Sequence, residues 1–324
     1  MLPANEVTRT GGDVRAWDAR LDRGDIAVEL SDPARDEVTG FIRGLPPGLE
    51  ASTLDIYPRS LPRFRADLEA CRGRVERDHR AVLIRPLPEL DFHQRRLLSW
   101  IVANIFGEPL VQNTAGDRLV AVYARPGTRR VADGARYHQT REGGAAHTDN
   151  VNIPDLWDYL IFSCIRPARL GGESILLSAF SVHEELLRIP EALDILRQPF
   201  WWEYRGISDD LYRAPIITYN ETGEPRFRYM RRYLESAHLR AGEPVSVEQA
   251  WALDALDSIL EMSHLQFRTF MQQGEILVTY DSQVLHSRTS FCEAAPGAPA
   301  DTADAARGTC RFFDRVWTRK RQAT

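Results

Sequence analysis

Apolar positions along this chain fall into short runs and helical stripes, with no regular alternation of strand and helix. Arg80–Pro88 (RAVLIRPLP) holds an Ala-Val-Leu-Ile run closed by prolines, which predicts a short buried strand. In the next stretch, ELDFHQRRLLSWIVANIFGEP, Leu97, Trp100, Ile101 and Ile105 recur at helical spacing, and Gly107 supplies the stop. DRLVAVYARPG reads as a strand ending at Pro126-Gly127, and DYLIFSCIRP as another; a turn at Gly171-Gly172 then leads into a third, ESILLSA. Ser181 and Glu184 have capping-box spacing for a helix at SVHEELL. Ser246 and Gln249 have the same spacing for a helix whose apolar face is Ala250, Leu253, Leu256 and Leu260. GEILVTYD and RFFDRVW predict two late strands, separated by a loop-like CEAAPGAPADTADAARG.

These elements predict a mainly β core with helical additions. Residues 1–75 are charged and read as helices and loops, with a Gly-Leu-Pro-Pro breaker; the core runs from about 76 to 319. No linker separates two cores, so residues 1–324 are expected to form a single domain. No internal repeat is visible, and no glycine-rich phosphate loop follows a strand.

Composition narrows the class. The 324 residues are 43% hydrophobic and 27% charged, as in ordinary globular proteins. The net charge of −5 gives no basic surplus for nucleic acid or an anionic membrane surface, so the expected partner is a small molecule. Lys320 is the only lysine, which removes Schiff-base chemistry through an interior amine. Cys71, Cys164, Cys292 and Cys310 form no Cys-x-x-Cys pair and read as reduced thiols of a cytoplasmic protein. The first twenty residues lack the apolar centre of a signal peptide, and no apolar run approaches the ~20 residues that span a bilayer.

The candidate chemistry begins at GGAAHTDN. His147 and Asp149 are two residues apart, and on an extended strand both side chains can reach one ion. Alone, His-x-Asp occurs often by chance, and two polar residues on a wet strand are the plainer reading of the pair. A non-haem iron site of the oxygenase kind takes two histidines and one carboxylate on one face of the metal. GEILVTYDSQVLHSRTSF presents His286 just after a strand and a short turn. Downstream, Arg311 and Arg315 are four apart and share a strand face with Phe313. Two arginines on a buried face need anions, and a dicarboxylate cosubstrate provides one.

The ordered set His-x-Asp, Gly-Gly-x-Ser, Gly-Glu-strand-Asp-x-x-x-x-His-x-Arg and Arg-x-x-x-Arg resembles the taurine dioxygenase and clavaminate synthase-like family. The resemblance covers roughly residues 76–319 and implies a double-stranded β-helix (jelly-roll) core. It implies an oxygenase that uses Fe(II), 2-oxoglutarate and O2, releases succinate and carbon dioxide, and hydroxylates an unactivated C–H bond. A small polar metabolite such as an amino acid or derivative is the expected substrate. Desaturation and cyclisation are other outcomes of the same oxidant. Carried over by position, His147, Asp149 and His286 are metal ligands, and Arg311 with Ser174 binds 2-oxoglutarate. Arg315 then sits where related enzymes hold a substrate anion. His286 and Arg311 are 25 positions apart, longer than the family pattern, so Arg307 and Arg315 stay open as alternatives to Arg311. With Asp149 in place of a small residue, halogenation is not expected.

A zinc hydrolase would use the same three ligands but gives no role to Arg311 and Ser174. A catalytically dead binding module is argued against by the intact ligand set. Glu142 and Asn150 flank the ligand pair, and Asp209 and Asp210 in SDDLYR lie where the family places a lid; these are further candidate substrate contacts. Trp201-Trp202 is read as core packing, and the cluster around Arg228, Tyr229, Met230, Arg231 and Arg232 as a solvated basic face. The histidines other than His147 and His286 are read as surface or hydrogen-bonding groups.

Overall fold

The long strand Phe312–Arg319 pairs antiparallel with Tyr159–Arg166 on one side and with the short strands Val120–Val122 and Glu108–Pro109 on the other. The computed structural model that shows this describes residues 13–56, 60–87, 89–125, 139–204, 207–293 and 310–321. Beyond Tyr159–Arg166 the sheet continues through Ile276–Tyr280 and Ala81–Ile84, both antiparallel, and ends at Ala27–Val28, which runs parallel to Ala81–Ile84. A smaller sheet faces it, with Ser174–Ser178 between Phe267–Thr269 and Val284–Arg288. The two sheets form the expected jelly-roll core. Helices are as prominent as strands around it, so the architecture is mixed helix and sheet.

Strand periodicity sorts the residues into layers. Val82, Ile84, Ile161, Val278 and Val316 turn outward onto the helices Asp32–Arg43, Pro62–Arg77 and Phe92–Phe106. Their neighbours Leu83, Leu277 and Phe313 turn inward, where they meet Leu176 and Val284 of the small sheet. The outer face of the small sheet, at Ile175, Leu177 and Leu285, packs on the helices Ala179–Leu186 and Val247–Leu260. The interior between the sheets is where the site is built.

Local expectations hold in most places. Ala81–Ile84 is a wholly buried strand, and Phe92–Phe106 ends at Gly107. The Ser246–Gln249 capping box is formed, though Ala252 and Ile259 rather than Ala250 join Leu253, Leu256 and Leu260 in the buried face. The capping box at Ser181 and Glu184 is not formed. Ser178 caps that helix instead, accepting from the amides of Phe180 and Ser181, and the Ser181 hydroxyl donates to the Trp17 carbonyl. A strand end that delivers a serine one turn earlier wins because its side chain already faces the free amides. The Ala27–Val28 strand departs from the helix-and-loop reading of the N-terminal segment. Pro126-Gly127, Arg307 and most of the Ala/Pro-rich segment lie outside the described residues.

The basic cluster is not a solvated face as a whole; of its five residues Arg232 is the exposed one. Tyr229 and Met230 are buried, and Arg228 is buried with its guanidinium on the Ile153 and Pro154 carbonyls and the Tyr212 hydroxyl. Arg231 bridges Glu235, Asp254 and Asp257. Trp202 is fully buried, as core packing requires, whereas Trp201 is half-buried and its indole N–H donates to Glu243. No helix among the described residues is long and apolar enough to cross a membrane.

Candidate active site

His286 lies in the strand Val284–Arg288, opposite Leu176. The ladder puts Ser174 opposite Arg288 two residues on, so Ser174, Leu176, His286 and Arg288 all point between the sheets. His147 is added to this strand edge by a single antiparallel bridge: each of His147 and His286 donates its amide to the other's carbonyl, at 2.9 and 2.8 Å. The His147–Asp149 segment is therefore one bridged residue followed by a turn, not the regular strand the sequence predicts. Asp149 is reached through a turn whose amide donates to Asp281 Oδ1 at 3.2 Å.

The result is a converged donor set. One ligand atom from each of His147, Asp149 and His286 lies within 4.8 Å of the others. Asp149 Oδ1 sits 3.7 Å from His147 Nε2 and 3.8 Å from His286 Nε2. Its other oxygen, Oδ2, is taken by the Trp317 indole N–H at 2.8 Å and by Arg315 Nη1 at 2.9 Å. His147 Nδ1 lies 2.8 Å from the Ala145 carbonyl, which it can only donate to, so Nε2 carries the lone pair.

Electrostatics favour the metal-ready protonation states. Burial lowers the pKa of both imidazoles, with His286 brought down to about 3 with help from neighbouring His147. Burial opposes ionisation of Asp149, but Arg315 and the two histidines outweigh it and hold its pKa at about 2. Neutral imidazoles and an ionised carboxylate are the forms that bind a divalent ion. Asp281, buried behind Asp149, is pushed the other way by burial and then by that same carboxylate.

The cavity beside this set is lined by Val122, Phe162, Leu176, Leu277 and Phe313 on its apolar side, and by Ser174, Arg288 and Arg311 on its polar side. Arg311 is buried; its Nε and Nη1 have no hydrogen-bond partner, and its guanidinium lies 3.9 Å from the Phe313 ring centroid. Burial, then the nearby Arg288, lowers its pKa to about 9. Arg311, just ahead of the strand Phe312–Arg319, and Phe313, Arg315 and Trp317 within it face the cavity or its ligand carboxylate, as the four-residue spacing predicts.

The remaining candidates divide. Glu142 is half-buried, and it is its carbonyl that meets Arg288. Asn150 is fully buried, accepts from the Thr148 hydroxyl, and does not line the cavity. Asp209 and Asp210 are exposed; Asp210 accepts from the Ser208 hydroxyl, and neither lines the cavity. Sequence reasoning missed Gln112, which fixes Arg315 Nε at 2.9 Å, as well as Tyr233 and the role of Trp317. Trp317 was legible as the next inward position after Arg315; Gln112 and Tyr233 carried no signal.

The family model described as taurine catabolism dioxygenase TauD, TfdA family matches residues 42–303. FR-33289 synthase of Streptomyces rubellomurinus (strain ATCC 31215) is 24% identical over 315 residues, covering 94% of this chain and 86% of that protein. An asparagine oxygenase solved with Fe(II), 2S,3S-3-hydroxyasparagine and succinate superposes with a TM-score of 0.63 at 17% identity, over 90% of this chain and 93% of that one. The non-haem iron oxygenase OrfP, solved with Fe and alpha-ketoglutaric acid, superposes with a TM-score of 0.62 at 17% identity, over 91% and 94% of the two chains. The chain belongs to the TauD/TfdA family and is a 2-oxoglutarate-dependent, non-haem iron(II) dioxygenase.

Proposed function

We propose that His147, Asp149 and His286 hold the ferrous ion, that Arg311 and Ser174 receive the distal carboxylate of 2-oxoglutarate, and that the enzyme hydroxylates a C–H bond of an amino acid derivative or a similar small polar metabolite. The observation that carries this is a pair of features in one cavity. Three ligand atoms converge within 4.8 Å, and a buried guanidinium beside them has two nitrogens with no partner. A dicarboxylate matches those donors in charge and in hydrogen-bonding capacity. When bound, iron and 2-oxoglutarate would activate O2, one oxygen atom going to succinate as carbon dioxide leaves and the other to the substrate.

The chain's own residues set the geometry. Trp317 and Arg315 pin Asp149 Oδ2, which leaves Oδ1 directed at the histidine nitrogens. The Ala145 carbonyl fixes the His147 tautomer. Phe162, Leu176, Leu277 and Phe313 keep water from the reacting centre. Desaturation and cyclisation need the same arrangement and differ only in the fate of the substrate radical. The substrate assignment is supported by the relatives, which were solved with hydroxylated asparagine and hydroxylated arginine. Four free cysteines, three of them buried, favour the reducing cytoplasm.

A zinc hydrolase needs a general base beside its metal-bound water. Among the described residues lining the cavity, Asp149 is the only carboxylate and His147 and His286 are the only imidazoles. The test is oxygen-dependent succinate formation with Fe(II) and 2-oxoglutarate, repeated with His147→Ala. Unchanged turnover in that variant would remove the ligand assignment.

A further inference from the structure

The polar side of the cavity is built from donors. Arg288, Arg311 and Arg315 all line it, and among the described lining residues the sole carboxylate is Asp149. Asp149 is fully engaged, with Oδ2 on Trp317 and Arg315 and Oδ1 between the two histidines. The nearby acids do not make up the deficit. Asp281 is buried behind Asp149 and accepts its amide. Glu293 lies behind Arg311 and accepts that residue's amide at 2.8 Å. Glu142 meets Arg288 through its backbone carbonyl. None of the three lines the cavity.

Resting on the reading of the site given above, we propose that the substrate is an anion without a free ammonium group. An N-acylated amino acid, or an oxyanion that never carried an amine, meets this description. Arg315 supplies the anion contact. Its Nε is held by Gln112 and its Nη1 by Asp149, which leaves Nη2 as the guanidinium nitrogen with no protein partner. Arg311 is taken by the cosubstrate and Arg288 gives its Nη2 to the Thr140 and Glu142 carbonyls, so Nη2 of Arg315, nearest the ligand carboxylate, is a charge open to a substrate oxygen. A substrate ammonium would face the Arg288 guanidinium and find no unengaged carboxylate among the described lining residues. Among the described lining residues, the uncharged side-chain acceptors it would meet are hydroxyls such as those of Ser287 and Tyr233. Burying a cation without a counter-ion is strongly disfavoured, and a neighbouring guanidinium adds repulsion. This separates the chain in specificity from relatives solved with hydroxylated free amino acids, although the fold is shared.

The experiment uses the full-length protein loaded anaerobically with Mn(II) in place of iron. 2-Oxoglutarate is titrated first by calorimetry, followed by matched pairs of small amino acids, each as the free amino acid and as its N-acetyl derivative. The expected result is that the N-acetyl member binds at least tenfold more tightly, and that Met230→Glu, which places a carboxylate in the cavity wall, narrows or reverses the ratio. Free amino acids binding as tightly as their blocked partners, or more tightly, overturn the proposal. Failure of 2-oxoglutarate itself to bind would instead overturn the cosubstrate assignment on which it rests.

Discussion

The indole N–H of Trp317 donates to Oδ2 of Asp149 across 2.8 Å, with both side chains buried. Two residues 168 positions apart thereby set the orientation of one carboxylate. The bond leaves Asp149 a single oxygen for the histidine pair, and Trp317 is itself held by stacking on Trp157 at 4.3 Å.

Trp317→Phe keeps the stacked ring and removes the donor. Partners of this kind typically change metal affinity by about 10–100-fold. We expect the metal Kd of Trp317→Phe to rise by roughly tenfold, with little change in the melting temperature of the metal-free protein. Metal titration beside thermal unfolding checks both, and an unaltered Kd would show that Arg315 alone orients the carboxylate.

Arg311 is a buried cation whose Nε and Nη1 lack partners until an anion arrives. Arg311→Met should therefore raise the stability of the ligand-free protein while abolishing its response to 2-oxoglutarate. For the parent protein, a hundredfold excess of cosubstrate over Kd stabilises by about 2.7 kcal/mol. Thermal unfolding with and without 2-oxoglutarate reads both effects, and a cosubstrate-dependent shift that persists in Arg311→Met would return the assignment to Arg315.

Asp314 points away from the cavity onto Arg96, at 3.2 Å. Burial raises its pKa to about 7, and the Arg96 charge only partly opposes this. The folded state therefore holds a proton that the unfolded chain releases near pH 4. This contribution is fully present below pH ~4, declines as pH rises, and is gone above about 7. Asp314→Asn should flatten that decline, which is on the order of 2–4 kcal/mol. Denaturant unfolding at pH 5 and pH 8 measures it; identical slopes in parent and variant would refute the assignment.

Gly107 ends its helix in extended backbone, pressed against the last residues of the strand Phe312–Arg319. A Cβ there would lie 2.1 Å from the Arg319 carbonyl oxygen. Gly107→Ala must shift backbone rather than a flexible side chain, so a loss of about 3 kcal/mol or more is expected. Chemical denaturation decides the point, and a loss below 1 kcal/mol would mean the helix end moves freely.

Much of the site was legible because strands have period two. Arg311 and Arg315 share a face for that reason, and so does Trp317, which the spacing offered but the reading passed over. Ser178 displaced Ser181 as a cap because capping depends on where a strand ends, which spacing alone does not state. Arg228 looked solvated because its partners are the carbonyls of Ile153 and Pro154 and the Tyr212 hydroxyl, and backbone acceptors leave no mark in composition.

Residue types and their order determined a β-rich core with helical additions and supplied the ordered motifs whose family resemblance implied the jelly roll, the two-histidine, one-carboxylate set and the arginine beside it. Tertiary structure decided which oxygen of Asp149 faces the histidines, that Arg315 is tied to that carboxylate and to Gln112, and that Asp209 and Asp210 stand outside the cavity. These outcomes depend on contacts between segments more than a hundred residues apart, or on the path of a loop. Both are set by how the sheets pack, and no local pattern in the chain encodes that.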